Sequence, residues 1–178
     1  MSISAKPELL FRTAIYESKW VNLFVDKVRF PNGHVIDQHH LLDFEREAVM
    51  AIPRDEHGQY TMVRVCRYPS GGAEWEFPAG SIESGEEILD AAQRETLEET
   101  GHASDGYQVL YSYHPMNGIA NQVFHIVRCR IGEAVRPFDQ TEIVEVGRFS
   151  EAEIWRMIKN KELKDGYTLT AFLLDQRL

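Results

Sequence analysis

The chain has 178 residues, 43% of them hydrophobic and 26% charged, with a formal net charge of -9. This length supports about one domain with a substantial core, and no low-complexity run interrupts it. Its acidity argues against a nucleic-acid partner held by a general basic surface, and no apolar run nears the roughly 18 residues of a membrane span.

Residues 1–13, MSISAKPELLFRT, show no secretory leader, so the cytoplasm is the expected compartment. Residues 1–44 read as a small β region. Positions 20–30 alternate and are rich in β formers, Pro31-Asn32-Gly33 is a turn signal, and 34–44 return as a second strand. The product is an N-terminal antiparallel β ribbon ahead of a main domain over 45–178, with His39 and His40 as an edge-strand pair. Residues 48–67 hold two strands about the turn Asp55-Glu56-His57-Gly58, with AVMAI and TMVRVC supplying buried side chains. Trp75, Phe77 and Pro78 pack the strand that follows. Cys66 and Cys129 stand far apart, against a disulfide framework or a zinc site.

Residues 79–102, AGSIESGEEILDAAQRETLEETGH, read as a turn and one amphipathic helix. Ser84 or Gly85 is the expected cap, with Glu86 and Glu87 in the first turn and Gly101 at the end. Ile88, Ala91 and Ala92 form a stripe that continues at helical spacing onto Glu95 and Glu99, so two carboxylates extend the core-facing side. An unpartnered buried carboxylate is costly, and this arrangement calls for a cation. Glu95 and Glu99 are four residues apart and Glu98 lies one step round the helix; oxygen-only ligands favour magnesium or manganese over zinc. The plainer reading is a solvated acidic helix with an Arg94–Glu98 pair.

The spacing Gly80, five residues, Glu86, seven residues, then Arg94-Glu95-Thr96-Leu97-Glu98-Glu99-Thr100-Gly101-His102 closely resembles the Nudix box, G-x5-E-x7-R-E-U-x-E-E-x-G-U. Thr96 and His102 depart from its aliphatic positions. The resemblance implies an α/β/α sandwich with a mixed sheet, and Mg2+ held by Glu95, Glu98, Glu99 and the Ala79 carbonyl, with Mn2+ as a substitute. It also implies that Arg94 orients the carboxylates, that Glu86 supports the helix start or an outer metal shell, and that Arg67, with Arg46 as a weaker candidate, reaches a diphosphate. The ribbon before the box is similar to that of the ADP-ribose pyrophosphatase branch, where such a segment is often exchanged between subunits. That likeness implies a homodimer, with Tyr16, Trp20 or Phe24 available to stack on a nucleobase; packing within a sheet is the plainer reading for each.

Beyond the box, 107–114 and 122–131 read as paired strands joined by a loop through Pro115 and Gly118. Similar pyrophosphatases place a proline directly before this glycine, where Asn117 stands, and many place an acidic residue near the terminal sugar, where Gln122 stands. These departures point to nucleoside diphosphate sugars in general, with selective hydrolysis of ADP-ribose as the nearest alternative. In the stretch PFDQTEIVEVGRF, related enzymes often read D-E-x-E, the first glutamate activating water. Here Gln140 occupies that position, followed by Glu142. An amide holds water but takes no proton. Three explanations stand: Glu142 is the base, the fold binds without turnover as a sensor, or Gln140 is an isosteric replacement of a native glutamate. RNA decapping is disfavoured for want of a basic, aromatic-lined path. Ser150 and Glu153 form a capping box for a helix through Lys159, and 167–178 suit a last helix laying Leu169, Phe172 and Leu173 on the sheet.

Overall fold

Strand alternation decides which side of the sheet each helix covers. A computed structural model describes residues 6–178; the first five positions of the segment read as lacking a leader lie outside the described residues. The chain divides into two compact units, one running through Glu47 together with His114–Val123, the other comprising Ala48–Tyr113 and Phe124–Leu178.

The first unit is an antiparallel sheet in the order β1 (Glu8–Tyr16), β2 (Asn22–Arg29), β3 (Val35–Asp43). β2 and β3 are the expected ribbon, and β1 adds a third strand that sequence reading did not separate. Its burial is slight: Leu9, Phe11, Ile15 and Tyr16 are all exposed. The strand is fastened by Arg12, whose Nε and Nη2 donate to the buried Asp26 at 2.8 Å each, with the guanidinium over the Phe24 ring. The 114–123 loop joins this unit through a parallel bridge between Leu42 and Ala120 and the Asn121 amide, whose oxygen accepts from Phe44 N–H at 2.8 Å.

The second unit is a seven-stranded mixed sheet. β10 (Ile143–Phe149), β5 (Tyr60–Arg67), β4 (Ala48–Arg54), β9 (Phe124–Ala134) and β8 (His102–Tyr113) run in that spatial order. β6 (Gly72–Glu76) pairs with β5 and β7 (Ala79–Ser81) with β4, and β4–β9 is the parallel pair among antiparallel neighbours. Val49, Ala51, Val127 and Cys129 point to one face and meet Ala91 and Ala92 of α1 (Ile88–Thr100). The alternate residues Met50, Ile52, Tyr60, Met62 and Ile126 point to the other, where α2 (Glu151–Lys159) contributes Ile154 and Met157 and α3 (Gly166–Asp175) contributes Ala171 and Phe172. This is the expected α/β/α sandwich. No helix among the described residues is long and apolar enough to cross a membrane.

Two details differ from the sequence reading. α1 begins at Ile88 with Glu87 in the capping position and no side-chain cap, rather than at Ser84 or Gly85. Gly85 adopts φ +81 in a turn closed by Glu86 N–H to the Glu83 carbonyl, so the helical register opens only after it. On α3 the buried face is Thr168, Ala171, Phe172 and Asp175, while Leu173 is exposed. The helix is rotated by its polar anchors: Thr168 Oγ1 accepts from Phe77 N–H, and the Asp175 carboxylate takes Tyr60 Oη at 2.8 Å and Arg128 Nε at 2.7 Å.

Candidate active site

The site starts from the end of α1, where Gly101 in the left-handed conformation (φ 72) returns its N–H to the Leu97 carbonyl and stops the helix. The buried stripe runs through Ala91, Ala92, Thr96 and Thr100. Thr96, which departs from the aliphatic pattern, is fully buried because its hydroxyl donates to the Ala92 carbonyl at 2.7 Å, leaving a methyl for the core. Glu95 and Glu99 flank this stripe, half-buried along the border with β7.

Arg94 is the hub of the acidic cluster. Its Nε and Nη2 donate as a fork to Glu86 at 2.9 Å each, Nη1 donates to Glu95 at 2.7 Å and Glu98 at 3.4 Å, and Nη2 also reaches the Ser81 carbonyl. Glu86 in turn accepts from Glu83 N–H, so this arginine binds turn, strand and helix together. The guanidinium holds the Glu86 carboxyl below the usual range. Burial pushes Glu95 up and raises Glu99 to about 8. Glu99 accepts from the Ala79 N–H at 3.0 Å. Gly80 leaves room for this closeness: a Cβ there would overlap the Glu95 carboxylate as it stands.

The three carboxylates share one side of α1 but do not share one point. Arg94 draws Glu95 and Glu98, Ala79 draws Glu99, and among the described residues no three His, Cys, Asp or Glu side chains already form a cage. The donor set is oxygen alone, and a carboxyl driven to about 8 by burial is one that a divalent cation would return to its charged form. The residues therefore fit a hard cation.

Beside the cluster, Asp139 N–H donates to the Glu98 carbonyl at 2.8 Å, which ties the turn carrying Gln140 to α1. Gln140 is exposed. Arg67 closes β5 with its fork on Glu76 and its Nη1 on Glu142. Glu76 was not foreseen; its burial rests on Arg67 of the neighbouring strand, a partner that no local pattern announces. In the first unit, Tyr16 and Trp20 are exposed, with Lys19 Nζ 5.0 Å from the Trp20 ring; Arg46 is exposed, and the Gln122 carbonyl is 3.1 Å from His114 Nδ1.

The NUDIX domain family matches residues 44–172. The chain belongs to the Nudix family. It is a Nudix pyrophosphohydrolase, and enzymes of this family use divalent metal ions. It is 27% identical over 171 residues to the ADP-ribose pyrophosphatase of Bacillus subtilis, covering 94% of this chain and 91% of the relative. A methanol dehydrogenase activator of Bacillus methanolicus is 29% identical over 160 residues, 88% of this chain and 85% of its own length. The ADP-ribose pyrophosphatase of Mycobacterium tuberculosis is 32% identical over 124 residues, 69% of this chain and 54% of its own. Among solved structures, an ADP compounds hydrolase superposes with a TM-score of 0.84 at 20% identity, covering 99% of this Nudix chain and 95% of the other, a likeness of fold.

Proposed function

We propose that this Nudix enzyme hydrolyses the diphosphate bond of nucleoside diphosphate sugars, ADP-ribose first among them, to a nucleoside monophosphate and a sugar phosphate in the presence of Mg2+. The observation that carries this reading is the partly buried carboxylate cluster on α1, gathered by Arg94 against β7. The two relatives named ADP-ribose pyrophosphatase support the choice of substrate class. Glu95, Glu98, Glu99 and the Ala79 carbonyl would hold the cation, Mg2+ or Mn2+. When bound, such an ion supplies positive charge to the diphosphate oxygens and acts as a Lewis acid.

The chain's own residues prepare that chemistry. Arg94 fixes the carboxylates by charge-assisted hydrogen bonds, and it is proposed as an orienting group rather than a substrate contact. Gln140 would hold a water by hydrogen bonding, without taking its proton. In the first unit, Tyr16 and Trp20 are proposed to stack on a nucleobase and Arg46 and Gln122 to meet phosphate and sugar, each tested by the KM of its alanine variant. The exposed apolar residues of β1, Leu9, Phe11 and Ile15, support pairing with a second copy as a homodimer, which light scattering in solution tests.

The deciding assay follows products from ADP-ribose, GDP-mannose, ADP-glucose and UDP-glucose by ion-exchange chromatography, with Mg2+ and with EDTA. Metal-dependent appearance of nucleoside monophosphate supports the hydrolase, and the ranking of rates names the substrate. Gln140 favours one second reading, a sensor that binds these ligands without cleaving them; binding of ADP-ribose with no cleavage by either this chain or Gln140→Glu would establish it.

A further inference from the structure

The identity of the group that takes the proton from water rests on the hydrolase reading above and deepens it. Arg67 stands between two carboxylates brought from different elements. Nε and Nη2 donate to Glu76 at 3.0 and 2.7 Å, and Nη1 donates to Glu142 at 3.2 Å. The two ends differ in kind: the Glu76 side chain is 7% exposed, whereas that of Glu142 is 60% exposed. One end is thus anchored in the core and the other is open to water. Glu99 on α1, when ionised, acts through space on the same guanidinium, which places the bridge within electrostatic range of the acidic cluster.

The backbone holds Glu142 a second time. Its carbonyl accepts from Cys66 N–H at 2.9 Å, while Asp139 N–H donates to the Glu98 carbonyl at 2.8 Å. The short turn from Asp139 to Glu142 is therefore stitched to α1 at one end and to β5 at the other. Asp139 is committed elsewhere, accepting from Thr141 N–H at 2.8 Å and Thr141 Oγ1 at 2.7 Å. Gln140 offers no basic atom.

We infer that Glu142 is the general base of this hydrolase, with Arg67 as its positioning residue and Glu76 as the anchor of Arg67. The water oxygen bonds to phosphorus while its proton passes to the Glu142 carboxylate. The bridging P–O bond breaks and its electron pair leaves with the departing phosphate; Glu142 then returns the proton to solvent. The fork that a diphosphate would need is occupied by Glu76, so Arg67 serves the base instead of the substrate.

The test uses the full chain with ADP-ribose and Mg2+, comparing Glu142→Gln, Gln140→Glu, the double variant, and Arg67→Gln in the parent and Gln140→Glu backgrounds. Glu142→Gln is expected to lower kcat by about 100-fold or more, the scale of a lost general base, with KM and the melting temperature unchanged. Gln140→Glu is expected to restore kcat in that background, and Arg67→Gln to lower kcat in the parent only. Full kcat in Glu142→Gln, no rescue by Gln140→Glu, or a KM raised by Arg67→Gln in both backgrounds would overturn the inference while leaving the hydrolase reading intact. Activity that appears only with Gln140→Glu overturns it likewise. Failure of both the parent and Gln140→Glu to cleave any nucleoside diphosphate sugar would remove the hydrolase reading and this inference together.

Discussion

Glu99→Gln is expected to make the metal-free protein more stable and to abolish its metal-dependent hydrolysis. Burial raises this carboxyl from 4.5 to about 8. At pH 7 the unfolded chain carries Glu99 ionised while the folded protein keeps it protonated, a difference of about 3 kcal/mol against the fold. The sign follows from proton binding. Between about pH 4.5 and pH 8 the folded state binds the extra proton, so stability declines as pH rises through that window and is intact below it. Glutamine keeps an acceptor for the Ala79 N–H, and an unpaired amide group subtracts about 1 kcal/mol, leaving a net gain of about 2 kcal/mol. For a chain of this size that is roughly 4–8 °C in Tm. Thermal unfolding in EDTA near pH 5 and near pH 8, for parent and variant, measures it. The gain should be large at the higher pH and small at the lower, and Mg2+ should stabilise the parent more than the variant. An equal gain at both pH values, or a loss at the higher one, would refute the argument from burial.

Gly80→Ala should separate stability from turnover in the other direction. The added Cβ meets the flexible end of Glu95, which can swing aside at a cost of about 1 kcal/mol or less, yet a displaced carboxylate should lower kcat about 100-fold; unchanged kcat would show that Glu95 has no fixed role. Asp175→Ala strips Tyr60, Arg54 and Arg128 of their shared carboxylate, whose side chain is 0% exposed. Breaking a buried ion pair costs about 3–5 kcal/mol, so chemical denaturation should register a large loss with an unchanged m-value. Of the two thiols, the exposed Cys66 should react with an aromatic disulfide in the native protein, whereas the buried Cys129, its thiol pushed up to about 12, should react only after unfolding; two fast equivalents would contradict this packing.

Periodicity and punctuation made most of the fold legible. The apolar runs of β4 and β5, the Gly101 stop and the Ser150–Glu153 box each act over a few residues, and each is found where the sequence places it. What could not be read depended on partners distant in the chain. The burial of Asp175 follows from Arg54 and Arg128, and no pattern within α3 announces it. The start of α1 shifted because Glu86 serves Arg94 eight residues later instead of the helix terminus. At the site, the box spacing pointed to the family and singled out the α1 carboxylates as candidates. The Arg67 bridge was hidden because Glu76 and Glu142 meet it from separate strands and turns, a coincidence of tertiary structure alone.

The parallel pairing of β4 with β9 bears on how the molecule assembles. Ala48 meets Phe124 and Arg54 meets Arg130, so the centre of the sheet closes only after the intervening chain, α1 included, has been looped out. Contacts of such sequence separation carry a large loop-closure entropy and slow the approach to the native state, toward the millisecond-to-second range. Val49, Ala51, Val127 and Cys129 form the floor on which α1 rests, and that floor exists only once the two strands have met. The carboxylates of α1 thus stay hydrated until that pairing has formed, and their mutual repulsion is confronted on a floor already built.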